Sequence, residues 1–229
     1  MSSRRLIIAI DGPPGAGKGT VARALALALD YQHVDTGGMY RAVAWKAMRE
    51  GVDLGLEDAI AAIARAATFE LSHGKVGIDG HDVTTAIRTP EMDAAAASVA
   101  RLPKVRAALV ERQRAYGQDG GVVMEGRDIG TVVFPAADVK LFLDASPEER
   151  ARRRSQDPSH TASRVTAGVA VVAEALAARD QSDRTRTASP LAKAEDALYL
   201  DTTGLTIDQV VARALEAVEG QRAKGKGQR

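Results

Sequence analysis

The sequence predicts an α/β domain built on a five-stranded parallel β-sheet with helices on both faces. Short apolar segments rich in β-branched residues alternate with longer segments whose apolar residues recur at helical spacing. Short strands that are apolar throughout are typical of parallel sheets covered by helices on both faces. A glycine-rich turn also joins the first apolar segment to the first helical one. The predicted strands are residues 6–10, 33–35, 122–125, 139–143 and 198–201.

Helical periodicity places helices between and after these strands. The helix at Pro147 has a clear start, because Ser146 is a favourable N-cap and proline suits the first turn. The acids at 148 and 149 also match the positive end of the helix dipole. The predicted helices are residues 18–29, 39–50, 56–66, 103–116, 147–156, 167–181 and 207–219.

Residues 69–87 interrupt this alternation and predict three short antiparallel strands. Their turns are His73-Gly74 and Asp79-Gly80, and an aspartate–glycine pair is a strong hairpin signal. A meander of this size is too small to be stable alone, so we expect it to pack on the main body. We therefore place an insertion at residues 67–100 inside a single domain that spans residues 1–229.

Two further segments depart from the sheet-and-helix pattern. Residues 157–165 are polar and contain turn-forming residues, as expected of a hinged lid, and we assign a lid region to residues 155–186. Residues 220–229 are basic and rich in glycine, which predicts a flexible, solvated tail. A weak contact between this tail and a polyanion is the alternative.

The composition argues against several classes of function. A chain of 229 residues with 45% hydrophobic residues can bury a full α/β core. A net charge of +1 gives no electrostatic argument for a nucleic-acid or membrane partner. The absence of cysteine excludes disulfides and thiolate metal sites. No apolar segment is long enough to span a bilayer, and the first strand begins too early for a signal peptide. We expect a soluble, cytoplasmic monomer.

Residues 7–20 carry the strongest chemical signal in the chain. Gly12, Gly17 and Lys18 fit the G-x-x-x-x-G-K pattern of a phosphate-binding loop, with a strand before it and a helix after it. Glycines let backbone N–H groups surround an anion, while the lysine and the helix N-terminus add positive charge. A di- or triphosphate such as ATP is the expected ligand, and an ordinary glycine-rich turn is the alternative. The predicted contacts are Gly12, Pro13, Pro14, Gly15, Ala16, Gly17, Lys18, Gly19 and Thr20.

The metal-binding part of this loop departs from the usual pattern. Gly19 stands where a serine or threonine commonly binds magnesium, and Thr20 follows one place later. The pattern resembles that of the nucleoside monophosphate kinases, which implies that Thr20 reaches Mg²⁺ through water. Glu125, at a strand end, is a candidate for holding a water of the same ion, with a buried capping role as the alternative.

Two more strand ends carry polar groups that suit a second anion. Residues 35–41 open a helix, so their hydroxyl and N–H groups can bind an anion that Arg41 pairs bidentately. Arg127 and Asp128 follow the third strand, where ligands bind in open α/β sheets. The alternatives are an ordinary helix cap with a surface arginine, and a purely structural pair.

Two arginine clusters complete the set of candidate residues. One comprises Arg150, Arg152, Arg153 and Arg154, and the other comprises Arg179, Arg184 and Arg186. Phosphoryl transfer needs dispersed positive charge that engages as the transition state forms. A charged, solvated helix face is the alternative for both clusters.

Taken together, these motifs resemble those of the bacterial cytidylate kinases over nearly the whole chain, from residue 8 to about residue 218. Residues 126–135 are especially specific, because adenylate and guanylate kinases carry different acceptor loops. The resemblance implies a phosphate-binding-loop NTPase fold and transfer of the γ-phosphate of ATP to CMP or dCMP with Mg²⁺. Thr36 and Glu125 replace a serine and an aspartate that are common in this family, and both replacements keep the chemistry.

The resemblance also implies a role for each candidate residue. Ser98, Arg106 and Asp128 fall where the family recognises the cytosine edge. Arg41, Arg127 and Arg186 fall where it holds the acceptor phosphate, and Arg179 and Asp183 where it contacts the sugar. The lid arginines are Arg153 and Arg154, the catalytic set is Lys18, Arg127, Arg184 and Arg186, and Thr36 and Tyr40 complete the CMP site.

Other functions remain open at this point. A kinase for another monophosphate or for a small hydroxyl acceptor shares most of these features. A non-catalytic nucleotide switch would need a guanine-binding Asn-Lys-x-Asp segment, which the sequence lacks. An RNA-associated protein would depend on the basic tail.

Overall fold

The computed structural model of the chain describes residues 5–72, 74–157 and 168–226. The strands are β1 (Ile7–Asp11), β2 (Gln32–Asp35), β3 (Phe69–Ser72), β4 (Lys75–Ile78), β5 (His81–Asp82), β6 (Val122–Gly126), β7 (Val139–Asp144) and β8 (Leu198–Asp201). The helices are α1 (Lys18–Leu29), α2 (Thr36–Arg49), α3 (Glu57–Ala66), α4 (Pro90–Val99), α5 (Pro103–Tyr116), α6 (Pro147–Gln156), α7 (Val169–Thr185) and α8 (Ile207–Lys226).

The predicted five-stranded parallel sheet is confirmed. Its strand order is β2-β6-β1-β7-β8, so β1 lies at the centre between β6 and β7. The carboxyl ends of these parallel strands meet at one edge of the sheet. The chain segments that follow β1, β2 and β6 are therefore brought together, which is the arrangement that the motifs require.

The sheet separates two apolar cores, one on each face. Ile8 and Ile10 of β1 point to one face, where they pack with α1 and α8. Ala9 points to the opposite face and joins a larger core formed with α2, α3, α4 and α5. Alternating side chains of one strand thus serve both cores, which explains why β1 is apolar throughout.

The predicted antiparallel insertion is also confirmed. Strands β3, β4 and β5 form a separate three-stranded sheet. Ile78 pairs with His81 across a two-residue loop in which Asp79 and Gly80 have φ values of 49° and 76°. Positive φ at both central residues is the geometry of a type I′ hairpin turn. Buried Val76 and Ile78 fasten this sheet to the larger core.

Two elements differ from the sequence prediction. Helix α4 was not predicted, although Thr89 caps it by accepting a hydrogen bond from the Met92 N–H and Pro90 occupies its first turn. Helix α8 extends to Lys226, so residues 220–226, which the sequence prediction assigned to a flexible tail, continue this helix. Arg222 explains the extension, because it donates to the Tyr31 hydroxyl at 3.1 Å and lies over the Tyr31 ring.

The segment predicted as a hinged lid, residues 157–165, lies outside the described residues except for Asp157. The helices on either side of it, α6 and α7, pack against each other. Within the described parts of the chain, no helix combines the length and the apolar character needed to cross a membrane.

Candidate active site

A cleft of about 1180 Å³ opens at the carboxyl edge of the main sheet. Pockets for one small molecule commonly measure roughly 300–1,000 Å³, so this cleft has room for two ligands. The residues after β1 and the start of α1 line one part of it, and α2, α4, α5 and the loop after β6 line another. The phosphate-binding loop and the predicted acceptor site therefore share one cavity.

The loop between β1 and α1 has the backbone geometry of an anion site. Gly12 has a φ of 147°, and a Cβ there would lie 1.9 Å from the carbonyl oxygen of Leu143. Gly17 caps α1 in a left-handed conformation with a φ of 88°. Both positions therefore require glycine, and the N-terminus of α1 points into the cleft.

Lys18 is buried at the base of this loop, and its Nζ donates to the carbonyl oxygen of Pro13 at 2.8 Å. Burial, followed by the nearby charge of Arg127, lowers the pKa of Lys18 to about 7. Before a ligand binds, nearby negative charge therefore makes up for little of the free-energy cost of burying the Lys18 ammonium. An incoming polyphosphate supplies the missing negative charge.

The carboxylate of Glu125 explains the glycine at position 19. A Cβ on Gly19 would lie 2.9 Å from Glu125 Oε1, and that oxygen is also 3.1 Å from His33 Nε2. Glu125 therefore reaches the first turn of α1, beside Thr20, which is exposed and lines the cleft. No group of three or more acidic or histidine side chains that could hold a metal occurs in the described part of the chain. A hydroxyl and one carboxylate fit Mg²⁺, which keeps several waters and binds substrate phosphates.

Asp11, at the end of β1, fixes the loop that carries Arg127 and Asp128. Its two carboxylate oxygens accept hydrogen bonds from the backbone N–H groups of Ile129 and Gly130 at 2.8 and 2.7 Å. These bonds hold the start of one turn of π-helix, Ile129–Val133. Burial raises the pKa of Asp11 to about 6. Sequence reasoning missed this residue because its partner is backbone rather than a side-chain motif.

Arg106 and Asp128 form a buried ion pair at the acceptor end of the cleft. The Arg106 guanidinium also lies 5.7 Å from the centre of the Tyr40 ring. Burial raises the pKa of Tyr40 to about 12. Arg186 Nη2 approaches the other carboxylate oxygen of Asp128 at 3.6 Å. All four side chains line the cleft. The Arg106 guanidinium, which donates hydrogen bonds, and the Asp128 carboxylate, which accepts them, therefore lie side by side.

The start of α2 lines the cleft where the second anion site was predicted. Asp35 caps the helix by accepting from the Gly38 N–H at 2.9 Å, and it pairs with Arg41 at 3.3 Å. Burial alone would raise the pKa of Asp35, but Arg41 and then Arg88 lower it to about 2. The Thr36 hydroxyl is held by a 2.7 Å bond to the Glu125 carbonyl oxygen.

Arginines from other elements face the same end of the cleft. Arg127 Nε donates to Asp183 at 2.8 Å, which links the loop after β6 to α7. Burial alone would raise the pKa of Asp183, but Arg127 holds it below the ordinary value. Arg179 lines the cleft beside this pair, and burial lowers its pKa. These contacts assemble the predicted sugar and phosphate residues.

The arginines of α6 have separate tasks. Arg153 donates to the hydroxyl and the carbonyl oxygen of Thr202 at 2.8 and 2.6 Å, which fixes its position beside the donor loop. Arg154 pairs with Asp93 of α4. Arg150 is buried and bonds the Pro14 carbonyl oxygen and Asp180, so it braces the phosphate-binding loop.

Four predicted site residues are absent from the cleft lining, and two of them, Gly12 and Pro13, belong to the phosphate-binding loop. Ser98 is exposed, and its neighbour Ala97 lines the cavity instead. One residue along an α-helix turns the side chain by about 100°, so these two side chains face different sides of α4. Arg184 is exposed at the end of α7, whereas Arg186 is buried and lines the cleft.

The sequence prediction also missed part of the cleft wall. The wall beyond the donor loop follows the end of β8 and the first turn of α8. Its residues could have been found from the rule that ligands bind beyond the carboxyl ends of parallel strands. They are Thr202, Leu205, Thr206, Ile207 and Val210.

Comparison with known proteins identifies the family of this chain. A family model described as "Cytidylate kinase" matches residues 8–220 of the chain. The chain belongs to the cytidylate kinase family. It is 48% identical over 223 residues to a cytidylate kinase of Solibacter usitatus, covering 97% of this chain and 96% of the relative. It is 46% identical over 229 residues to a cytidylate kinase of Vibrio cholerae, covering 96% and 99% of the two chains.

A likeness to a solved structure supports the fold of this cytidylate kinase family member. The crystal structure of a gluconokinase from Sinorhizobium meliloti matches with a TM-score of 0.52 at 16% identity, covering 100% of this chain and 99% of the other. Membership of the cytidylate kinase family makes the protein an enzyme that transfers phosphoryl groups.

Proposed function

We propose that the protein transfers the γ-phosphate of ATP to CMP or dCMP, giving ADP and CDP or dCDP. The observation that carries this proposal is the buried Arg106–Asp128 pair, which faces the same cleft as the phosphate-binding loop. The pair offers an acceptor and a donor group for a base, while the loop offers N–H groups and Lys18 for a polyphosphate. Two nucleotides can thus meet with their phosphates at the centre of the cleft.

The pair suits the hydrogen-bonding edge of cytosine. Asp128 can accept from the exocyclic amino group at N4, and Arg106 can donate to N3 or O2. Uracil presents the opposite donor and acceptor there, so a buried group would lose its partner. Each such loss costs about 1–3 kcal/mol, which is enough to reject UMP.

The opposite part of the cleft suits ATP. The loop of residues 12–17 and Lys18 would bind its phosphates, as N–H groups at a helix N-terminus commonly do. Leu205, Ile207 and Val210 line the wall beyond this loop and would cover its base. Arg153 would lie between the base and the phosphates, since Thr202 holds its guanidinium there.

The transfer step needs no protein nucleophile, because the acceptor phosphate itself attacks. Lys18, Arg127 and Arg186 would spread positive charge over the phosphates as the negative charge moves from the γ-phosphate to ADP. Mg²⁺, bound with ATP, would neutralise further charge, and Thr20 and Glu125 would hold it through its waters. We propose that one chain, as a cytoplasmic monomer, contains the whole machinery, without a nucleic-acid or membrane partner.

An assay of ADP formation with MgATP and CMP, dCMP, UMP, AMP or GMP tests this function. We expect CMP and dCMP to be phosphorylated far faster than the other three. Asp128→Ala should reduce kcat/KM for CMP by about 100-fold, because it removes both oxygens that can accept from N4. Asp53→Ala is the matched control, because Asp53 is exposed and outside the cleft lining, and it should behave like the wild type. AMP or GMP as the best acceptor would refute the cytosine assignment.

A further inference from the structure

Asp93 places a negative charge among the arginines of the acceptor site, and the proposed transfer reaction does not require it. It lies in the first turn of α4, and 17% of its side chain is exposed. Its carboxylate faces arginines from three other helices: Arg41 of α2, Arg154 of α6 and Arg179 of α7.

The contacts show that Asp93 lies behind the arginines rather than in the cleft. Arg179 Nη1 is 3.1 Å and Arg41 Nη1 is 3.6 Å from Asp93 Oδ1, and Arg154 contacts the other oxygen. All three arginines line the cleft, whereas Asp93 is not among the lining residues. An incoming phosphate would therefore meet the arginines first, with the carboxylate behind them.

This arrangement has two electrostatic consequences. The carboxylate offsets the mutual repulsion of three guanidinium groups before a ligand is bound. It also repels a phosphate that binds on their other side, so the arginines attract that phosphate less strongly than three unopposed charges would. The positive end of the α4 dipole also suits a carboxylate in the first turn of that helix.

We propose that Asp93 is an internal counter-anion that lowers the affinity of this arginine site for the acceptor phosphate and for the product. The proposal rests on the proposed function, in which Arg41 binds that phosphate. Transfer converts a monophosphate into a more negatively charged diphosphate, which unopposed arginines would hold longer. Where release of product limits turnover, as it does in many enzymes, a site that binds the product less tightly turns over faster.

Asp93→Asn tests the proposal, because it removes the charge and keeps the size and one oxygen acceptor. Isothermal titration of CMP, CDP and cytidine at low and high salt would measure the effect. We expect CMP and CDP to bind about tenfold more tightly to the variant at low salt. The gain should shrink at high salt, and cytidine, which has no phosphate, should bind equally to both proteins.

Glu91→Gln is the matched control, because Glu91 is an exposed acid on the same helix. Its CMP affinity should equal that of the wild type. Melting temperatures would show that each variant folds, and Asp93→Ser provides a smaller neutral replacement should Asp93→Asn be unstable.

Three results would overturn the proposal: a folded Asp93→Asn variant with unchanged or weaker CMP binding, an equal gain for cytidine, or the same gain in Glu91→Gln. Failure of the proposed function looks different, because the wild type would then neither bind nor phosphorylate CMP. In that event, titration of inorganic phosphate into the wild type and Asp93→Asn still tests the counter-anion.

Discussion

At the scale of single residues, the cleft is organised by opposite charges held in fixed pairs. Asp128 orients Arg106, Asp183 orients Arg127, and Asp35 orients Arg41. A guanidinium that is already oriented loses less conformational freedom when it binds a ligand. Lys18 is the exception, because its Nζ is held by a neutral carbonyl oxygen.

The first prediction concerns the protonation of Lys18. Because burial and Arg127 lower its pKa to about 7, the amine is mostly neutral at about pH 8. A bound polyphosphate favours the ammonium form, so ATP binding should take up protons. ATP affinity should therefore fall as the pH rises from about 7 to about 9. Titration calorimetry in buffers with different ionisation enthalpies measures this uptake.

Lys18→Met serves as the control for that experiment. It should abolish most of the proton uptake at about pH 8 and lower turnover by several orders of magnitude. The interpretation fails if the variant takes up as many protons as the wild type.

The second prediction separates two arginines that lie two positions apart. Arg186 is buried in the cleft beside Asp128, whereas Arg184 is exposed outside it. Arg186→Ala should raise the KM for CMP and slow single-turnover transfer by about 100-fold or more, with ATP binding nearly unchanged. Arg184→Ala should match the wild type in all three measurements. Equal losses in ATP binding and transfer would instead assign Arg186 to the donor.

The same residues show how far sequence reasoning extends at this scale. Gly17, Lys18 and Asp128 line the cleft, and each belongs to a motif tied to a strand end. Ser98 and Arg184 do not line it, because the side of a helix or of its last turn that a residue faces depends on helix rotation. That rotation is set by packing, which neighbouring sequence specifies only weakly.

At the scale of elements, the carboxyl end of β1 does two things at once. It leads into the phosphate-binding loop, and through Asp11 it holds the π-helical turn that follows Arg127 and Asp128. Donor and acceptor subsites are therefore positioned from the same strand. A disturbance of this connection should affect stability and acceptor binding together.

Asp11→Ala tests this connection. Two buried N–H groups would lose their partner, and each loss costs about 1–3 kcal/mol, partly offset because a buried carboxylate is also removed. We expect a fall in melting temperature of roughly 4 °C or more, at about 2–4 °C per kcal/mol for a chain of this size. The KM for CMP should rise as well.

Asp53→Ala is the control for that variant, since the exposed Asp53 makes a single similar bond to the Gly55 N–H. It should change the melting temperature little. A stable Asp11→Ala variant with normal kinetics would contradict the proposed link between β1 and the acceptor loop.

The strands were the most predictable elements, because buried parallel strands must be apolar along their whole length. Each predicted strand of the main sheet lies within one residue of the observed bounds at either end. Helix α4 was missed because four consecutive alanines, residues 94–97, give no clear apolar face. The end of α8 was missed because its stability comes from Arg222 packing on Tyr31, a contact between distant parts of the chain.

At the scale of the whole molecule, both subsites lie at one edge of one sheet, and the C-terminal helix α8 packs against α1 with only its first turn lining the cleft. Helix α8 contributes Val210, Ala214 and Val218 to the core around α1. Its last turns add the contact of Arg222 with Tyr31. These last turns therefore support the fold and lie outside the cleft lining.

Removal of residues 221–229 tests whether the last turns of α8 support the fold without taking part in the reaction. Loss of the cation–π contact and of the hydrogen bond to Tyr31 should lower the melting temperature by roughly 2–6 °C. The kinetic constants for ATP and CMP should stay within about twofold of the wild type. A shorter truncation that ends at Lys226 keeps Arg222 and should retain the stability. A large loss of activity without loss of stability would give the basic tail a functional role.

Gly19 and Glu125 occupy neighbouring space, so the size of one side chain limits the size of the other. A serine at position 19 would bring its Cβ to 2.9 Å from Glu125 Oε1, so that carboxylate would have to move away from His33. An aspartate at position 125 is shorter by one methylene and would leave more room. Gly19→Ser should therefore be tolerated better together with Glu125→Asp than alone, although more than a hundred positions separate the two residues in the chain.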